Sequence, residues 1–152
     1  LTVAGTEGLL VTYARCCRPI PDDPIIAFLS AGRGIVIHRE ACGNVEDYHK
    51  HPEKWQPVTW QKSLNRYFSA EVRIEAANRI GMLASVSAAI AGTDTNIGQA
   101  SVEQRDGDVA LIKLEVEVKD RKHLARVVRT IRQMPDVMRV SRYLASRRNQ
   151  EE

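Results

Sequence analysis

A length of 152 residues and a mass of 17.0 kDa suit one ordinary domain or two small ones. Hydrophobic residues make up 43% and charged residues 27%, which is typical of globular proteins and excludes collagen-like, coiled-coil and disordered chains. The net charge of +3 is unevenly placed, because residues 119–148 hold ten of the 22 Lys and Arg residues. That end of the chain suits nucleic acid or an acidic protein as a partner.

The sequence carries no targeting or membrane-spanning segment. No apolar run approaches the ~18 residues that a transmembrane helix needs, and the N-terminus has no secretory signal. We therefore expect a soluble, cytoplasmic protein that has no membrane partner. The chain opens on Leu1 rather than on an initiator Met, so we expect a piece of a longer protein whose activity can lie outside these residues.

The first half of the chain predicts a small α/β unit. Apolar and β-branched residues indicate strands over residues 9–14, 25–29, 35–38 and 57–60. Residues 18–24 contain three prolines, so they form neither a helix nor a central strand. Residues 31–34 predict a turn between two strands, and residues 40–48 predict a short helix.

The second half predicts the order strand, helix, strand, strand, helix, strand. Alternating apolar residues indicate the four strands, over residues 70–76, 97–103, 112–118 and 137–143. Asp106 and Gly107 suit the hairpin between the second and third of them. The order is that of a ferredoxin-like βαββαβ fold, with both helices on one face of a four-stranded antiparallel sheet. We predict the fold class α+β.

Helical spacing of apolar residues places the two helices. One begins at Met82 and ends near Gly92, with a buried face that we predict to comprise Leu83, Val86 and Ile90. Asp120 suits the N-cap of the other, whose predicted buried face comprises Leu124, Val127, Val128 and Ile131. We assign residues 1–62 to the first domain, 63–68 to a linker, 69–146 to the second domain and 147–152 to a tail.

Cys16, Cys17, His38 and Cys42 are the one set of residues that could bind a metal. His38 and Cys42 are four apart, and residues at this spacing share a helix face and can offer nitrogen and sulfur to a tetrahedral Zn²⁺. Cys16 and Cys17 are adjacent, so both can bind only where the backbone is irregular. The alternative is that one of these cysteines packs in a small core. An odd count of three cysteines argues against a disulfide framework.

Two further groups of residues are candidates for binding. A Gly-containing turn before the first helix either binds a small carboxylate through its backbone N–H groups or only shapes the connection; it comprises Asn78, Arg79, Gly81, Met82 and Leu83. The exposed face of the last helix either contacts RNA or a protein partner or is simply solvated; it comprises Lys122, Arg126 and Arg129. Nearby aromatic residues for base stacking are limited to Tyr143.

No arrangement of residues indicates catalysis. The sequence offers no Ser, His and Asp set in a plausible order and no paired carboxylates next to a Gly-rich loop. We predict no catalytic residue and no enzymatic activity for this chain.

A distinctive run of residues, Ala14-Arg15-Cys16-Cys17-Arg18-Pro19-Ile20-Pro21, is followed by Gly32-Arg33-Gly34-Ile35-Val36-Ile37-His38-Arg39 and Cys42. This pattern closely resembles the C-terminal regulatory half of the long RelA/SpoT homologues, and it is more similar to the SpoT-like members than to the RelA-like ones. These bacterial enzymes make and hydrolyse the alarmone (p)ppGpp. The resemblance covers about residues 5 to 146.

The resemblance implies a zinc-finger-like (RIS) domain followed by an ACT domain, also labelled RRM. The family's cysteines and histidine correspond to Cys16, Cys17, His38 and Cys42, and the family name implies zinc. Relatives usually carry Pro-Gly-Asp where this chain has Pro21-Asp22-Asp23, so Asp22 must here make a turn that glycine makes elsewhere. ACT domains commonly pair and hold small amino acids near the turn after the first strand.

The resemblance places the synthetase and hydrolase sites in an N-terminal half that these residues do not include. The leading hypothesis is a non-catalytic regulatory piece of a bifunctional (p)ppGpp synthetase/hydrolase that senses nutrient state and acts on its own catalytic domains. The signal could come from the ribosome and uncharged tRNA, from branched-chain amino acids or from a regulatory protein. The alternatives are an amino-acid-binding ACT homodimer that acts without RNA, and a structural zinc module.

Overall fold

The structure is a computed structural model, and it describes residues 3–4, 9–30, 32, 34–45, 50–61, 65–104 and 107–144. The chain divides into two compact units. One is formed by Leu1–Arg66 together with Leu144–Glu152, and the other by Tyr67–Tyr143.

The first unit contains two small sheets. Its strands are β1 (Val3–Ala4), β2 (Val11–Tyr13), β3 (Ile25–Ser30), β4 (Gly34–Arg39), β5 (Trp55–Pro57) and β6 (Thr59–Trp60), and a 3₁₀ helix spans Pro52–Lys54. The larger sheet has the order β2-β4-β3-β5, in which β2 and β4 are parallel and the other pairs are antiparallel. The smaller sheet pairs β1 with β6.

Every second side chain of β3 and β4 packs into a hydrophobic core of this unit. Ile25 and Ala27 point to the same side as Ile35 and Ile37, and all four side chains are buried. Strands β3 and β4 pair as a hairpin that ends at Ser30 and Gly34. Residues 31 and 33 of the turn expected between them lie outside the described residues. Gly34 has a φ of 74°, and a Cβ there would collide with the Leu10 carbonyl, so this position requires glycine.

Two predictions for the first unit agree with the structure only in part. The short helix predicted over residues 40–48 is a turn at 40–41 and a 3₁₀ helix at 43–45, and residues 46–48 lie outside the described residues. Cys42 N–H donates to Arg39 O at 3.0 Å, and Val45 N–H donates to Cys42 O at 3.0 Å, so the bonds have the three-residue spacing of turns. The strand predicted over residues 57–60 is split, because β5 ends at Pro57 on the edge of one sheet and β6 belongs to the other.

The second unit has the predicted βαββαβ order. Its elements are β7 (Phe68–Ala77), α1 (Met82–Ala91), β8 (Asn96–Gln104), β9 (Val109–Val118), α2 (Arg121–Arg132) and β10 (Val137–Arg142). The sheet is antiparallel, with the order β10-β7-β9-β8. Gly107 adopts a φ of 67° between β8 and β9, whereas Asp106 lies outside the described residues.

The two helices bury apolar stripes against one face of the sheet. Buried residues of α2 include Leu124, Val127 and Ile131, as predicted, whereas Val128 of the predicted face is only half-buried. The predicted face of α1 was partly wrong, because Met82 is buried with Val86 and Ile90 whereas Leu83 is exposed. Met82, Val86 and Ile90 are four residues apart, so they fall on one stripe that Leu83 does not share.

Asp120 caps α2 as expected, since its carboxylate accepts the N–H of His123 at 2.8 Å. The other face of the sheet carries half-exposed charged residues such as Glu71, Arg73 and Glu75. In the part of the chain that the structure describes, no helix is long and apolar enough to cross a membrane.

Candidate metal centre

Four side chains of the first unit bring their ligand atoms together. The sulfur atoms of Cys16, Cys17 and Cys42 and a ring nitrogen of His38 all lie within 4.8 Å of one another. Cys16 Sγ is 3.6 Å from Cys42 Sγ and 3.5 Å from His38 Nδ1, and Cys17 Sγ is 3.9 Å from His38 Nδ1. A tetrahedron with metal–ligand bonds of ~2.3 Å has edges of about 3.8 Å. The spacing therefore fits four ligands around one tetrahedral metal ion.

An irregular backbone allows adjacent cysteines to face the same point. Residues 15–17 form a turn after β2, closed by the N–H of Arg18, which donates to Ala14 O at 2.9 Å. Arg18 then adopts a φ of 43°. The expectation that Cys16 and Cys17 could both reach a metal only through irregular backbone agrees with this geometry.

His38 and Cys42 meet for a different reason than the sequence suggested. His38 lies near the end of strand β4, and Cys42 lies in the turn that follows, so they do not share a helix face. The turn bond from Cys42 N–H to Arg39 O folds the chain back toward the strand end. A strand followed by a tight turn thus gives the same proximity that we had attributed to a helix.

The cluster has the electrostatics of a thiolate site. Hydrogen bonds with Cys17 and Cys42 lower the pKa of Cys16. The pKa of Cys17 is raised instead, first by its hydrogen bond with Cys16. Burial alone would lower the pKa of His38, but hydrogen bonds with Cys16 and Cys42 outweigh it and raise that pKa to about 9. The lowered pKa of Cys16 favours a thiolate at this position, and a cation can neutralise a thiolate that lies beside other sulfur and nitrogen donors.

A buried carboxylate, which was not among the predicted site residues, supports the cluster. The Asp23 side chain is only 2% exposed, and its Oδ2 accepts the Ile20 N–H at 2.8 Å and lies 3.7 Å from Arg39 Nε. The backbone N–H of Arg39 in turn donates to Cys17 Sγ at 3.3 Å. Asp23 therefore connects the loop after Cys17 to the end of β4. An aspartate within an apolar, Pro-rich stretch was the signal that could have indicated it.

Asp22 lies in a tight turn between Ile20 and Asp23. The N–H of Asp23 donates to Ile20 O at 3.1 Å, which closes a four-residue turn with Pro21 and Asp22 in the middle. Asp22 has a φ of 78°, as the third position of a type II turn requires. The sequence prediction for Asp22 agrees with the structure.

The candidate carboxylate-binding turn lies at the end of β7. Gly81 has a φ of 81° just before α1, and Arg79 Nε pairs with Asp136 Oδ2 at 2.8 Å. Met82 is buried in the core, and Leu83 lies at the surface. The N–H of Asn78 donates to Asp108 O at 2.6 Å. The five predicted residues are therefore neighbours, although Met82 and Asn78 have structural roles of their own.

The three basic residues of the last helix are all exposed on α2. Lys122 and Arg126 border a groove of about 330 Å³ that also includes the exposed ring of Tyr67, whereas Arg129 does not line it. The prediction that these side chains share one solvent-facing surface agrees with their exposure.

Family comparisons identify both units. A model described as the RelA/SpoT RIS domain matches residues 1–61, and one described as the ACT domain matches residues 64–142. The chain belongs to the RelA/SpoT family. The bifunctional (p)ppGpp synthase/hydrolase SpoT of Escherichia coli strain K12 is 46% identical over 142 residues, which are 93% of this chain and 20% of that protein. A GTP pyrophosphokinase of Streptomyces coelicolor is 34% identical and covers 97% of this chain, with 18% of its own length.

Among solved structures, the crystal structure of the ACT domain from the GTP pyrophosphokinase of Chlorobium tepidum matches half of the chain. It is 28% identical, with a TM-score of 0.44, and covers 50% of this chain and 97% of that one. The RIS–ACT chain spans about a fifth of the SpoT relatives that it matches. It corresponds to their regulatory region and not to their catalytic domains, as the resemblance implied.

Proposed function

We propose that Cys16, Cys17, His38 and Cys42 bind one structural Zn²⁺ ion. Three thiol groups and an imidazole are the ligands that zinc prefers, and the distances between them suit a tetrahedron. Four protein ligands leave no open position for a substrate, so the ion would stabilise the RIS domain and take no part in a reaction. A ligand set of three reduced thiols also suits action in the cytoplasm.

The zinc proposal is tested by metal content and competition. The chain purified without chelator should hold close to one zinc per molecule, and Cys16→Ser should lose zinc to a chelator much faster. His51→Gln is the matched control, because His51 is an exposed histidine of the same unit that does not belong to the cluster. Zinc content well below one per chain would remove the proposal, and so would equal loss from the His51 variant.

We further propose that the chain is the sensory, non-catalytic region of a SpoT-like (p)ppGpp synthetase/hydrolase. The observation that supports this role is the metal cluster in a RIS domain directly followed by an ACT domain. The partners would be the protein's own catalytic domains. Nutrient state would alter the contacts of the RIS and ACT domains and thereby bias synthesis against hydrolysis.

The regulatory role is tested in the whole protein. Cys17→Ser should change the ratio of alarmone synthesis to hydrolysis while both activities persist, because the cluster belongs to the RIS domain and contributes no residue to the catalytic domains. Loss of both activities would instead indicate general misfolding, and an unchanged ratio with zinc lost would contradict the role. The isolated chain should turn over no guanine nucleotide.

The ribosome and uncharged tRNA are one route by which the signal could arrive. The exposed cations Lys122, Arg126 and Arg129 support RNA contact through phosphates. RNA binding by the chain should then weaken steeply with salt, and Arg126→Glu should reduce the salt dependence. Binding that does not respond to salt would exclude this route.

A second candidate, an amino-acid-binding ACT dimer, is favoured by the exposed edge of the sheet. Strand β8 is an outer strand, nearly all its residues are exposed, and Val102 is 48% exposed. An edge of this length that carries neither Lys nor Pro suits pairing with a second copy. Val102→Lys should then dissociate the dimer in light scattering. Titration calorimetry with branched-chain amino acids should give heat with the unmodified chain and none with Gly81→Trp.

A further inference from the structure

The second unit has a basic groove at the edge of its sheet opposite to β8. Strand β10 is the other outer strand of the order β10-β7-β9-β8. Beside it lies an open groove of about 690 Å³, lined by residues 137–142 of β10 and by Arg132 from the last turn of α2. This groove is larger than the one beside Lys122 and Arg126, and its lining includes none of the proposed zinc ligands.

The lining of the groove carries positive charge alone. It includes Arg132, Arg139 and Arg142, and the described residues that line it include neither Asp nor Glu. The nearby carboxylate of Asp136 is paired with Arg79 at 2.8 Å. Guanidinium groups bind carboxylates in planar, charge-assisted pairs, so an acidic ligand is the complement of this surface.

The backbone of β10 adds a second element of recognition. The N–H of Tyr143 donates to Glu71 O on β7 at 2.9 Å, so the alternation of the strand turns the backbone groups of Arg142 and Val140 outward. The Val140 carbonyl accepts a hydrogen bond from Arg132 Nη2 at 3.3 Å, which agrees with an outward direction and which an incoming segment would share or replace. An extended peptide can pair with such an edge as an additional strand.

The positions of the arginines define the charge pattern of that peptide. Arg139 lies across from Glu75 on the open face of the sheet, whereas Arg132 approaches from the helix side. Met138 of the same strand is 59% exposed and offers an apolar contact to the segment. Neighbouring residues of a strand point to opposite faces, so two consecutive acidic residues would supply one carboxylate to each side.

We propose that the β10 edge binds an extended acidic peptide segment of a protein partner. The main chain of the segment pairs with β10, and its carboxylates contact Arg132, Arg139 and Arg142. RNA suits the groove less well, because among the described residues that line it none has an aromatic ring for base stacking.

The test measures binding of a fluorescein-labelled short peptide of repeated Glu-Glu-Thr units to the whole chain. The double variant Arg132→Glu with Arg139→Glu changes two exposed side chains and should lower affinity roughly tenfold or more, because two charge-assisted pairs are lost. The matched control is Lys119→Glu with Arg121→Glu, which makes the same change of charge at two exposed residues beside the start of α2 and should have little effect. Amide NMR spectra establish that both variants fold.

Two further probes separate strand pairing from attraction between charges. A peptide of the same sequence with N-methyl groups on alternate residues should bind much more weakly, since it cannot donate to the edge. A single-stranded RNA should not compete at the groove. The proposal fails if the parent chain does not bind the peptide at millimolar concentration, if the control variant loses as much affinity, if N-methylation has no effect, or if RNA displaces the peptide.

Discussion

Replacing Asp22 by glycine should stabilise the first unit. Asp22 holds a φ of 78° in the turn between Ile20 and Asp23, and its side chain is exposed. Residues with a Cβ are strained in this region, and glycine is not. The substitution therefore relieves strain without removing a buried contact.

The size of the effect follows from two opposing contributions. A left-handed conformation costs a residue with a Cβ ~1–2 kcal/mol, and Asp lies at the lower end because its side chain can bond to nearby backbone. Glycine gives back ~0.5–1 kcal/mol, because the unfolded chain gains freedom. With ~1 kcal/mol of strain relieved and ~0.5 kcal/mol given back, the free energy of unfolding should rise by ~0.5 kcal/mol in Asp22→Gly.

Tryptophan fluorescence reports on this unit, since Trp55 and Trp60 are the two tryptophans of the chain and both lie in it. With a urea dependence of ~1 kcal/mol per M for so small a unit, the midpoint of urea unfolding should rise by ~0.5 M at saturating zinc. Asp22→Asn is the control, because Asn tolerates the same φ and removes the charge alone. An unchanged or lower midpoint for the glycine variant, with the Asn variant unaffected, would refute the reasoning.

Three other predictions concern buried or capping polar groups. Asp23→Asn should lower the free energy of unfolding of the first unit by ~1–3 kcal/mol, because it weakens the ion pair between Asp23 and Arg39. The same variant should lose zinc to a chelator faster. An unchanged urea midpoint would count against a supporting role for Asp23. His123 Nδ1 accepts the Lys119 N–H at 3.0 Å and so stays neutral, and burial followed by the charge of Arg126 lowers its pKa. The contribution of His123 to the free energy of unfolding of the second unit should be fully present above about pH 6.5 and should fall below it by at most ~1.4 kcal/mol per pH unit. Unfolding followed by circular dichroism measures this profile, and His123→Gln should flatten it. Asp120→Ala should cost ~1 kcal/mol through loss of the α2 cap, and Asp120→Asn should restore most of it; equal losses in both would contradict capping.

The second unit was predictable because its signals are local and repeated. Alternation along residues 112–118 identifies β9, and Asp120 marks the start of α2, so a chain with these patterns has few ways to bury its apolar residues. The buried face of α1 was harder, because alanines surround its large residues and the pattern does not distinguish Met82 from Leu83.

The metal cluster shows where sequence spacing stops being informative. Residue types identified the four ligands as candidates, but the reason that His38 meets Cys42 is a strand end and a turn, which spacing cannot separate from a helix. The supporting carboxylate of Asp23 was not predicted, because its burial depends on Arg39, sixteen positions away in the sequence. The basic groove at β10 was likewise invisible, since it requires knowing that β10 is an outer strand.

X-ray absorption at the zinc edge of the purified chain identifies the atoms that bind the ion. Coordination by Cys16, Cys17, Cys42 and His38 predicts three sulfur atoms at ~2.3 Å and one nitrogen at ~2.0 Å around the zinc. A first shell dominated by oxygen, or one with fewer than three sulfur atoms, would contradict the account.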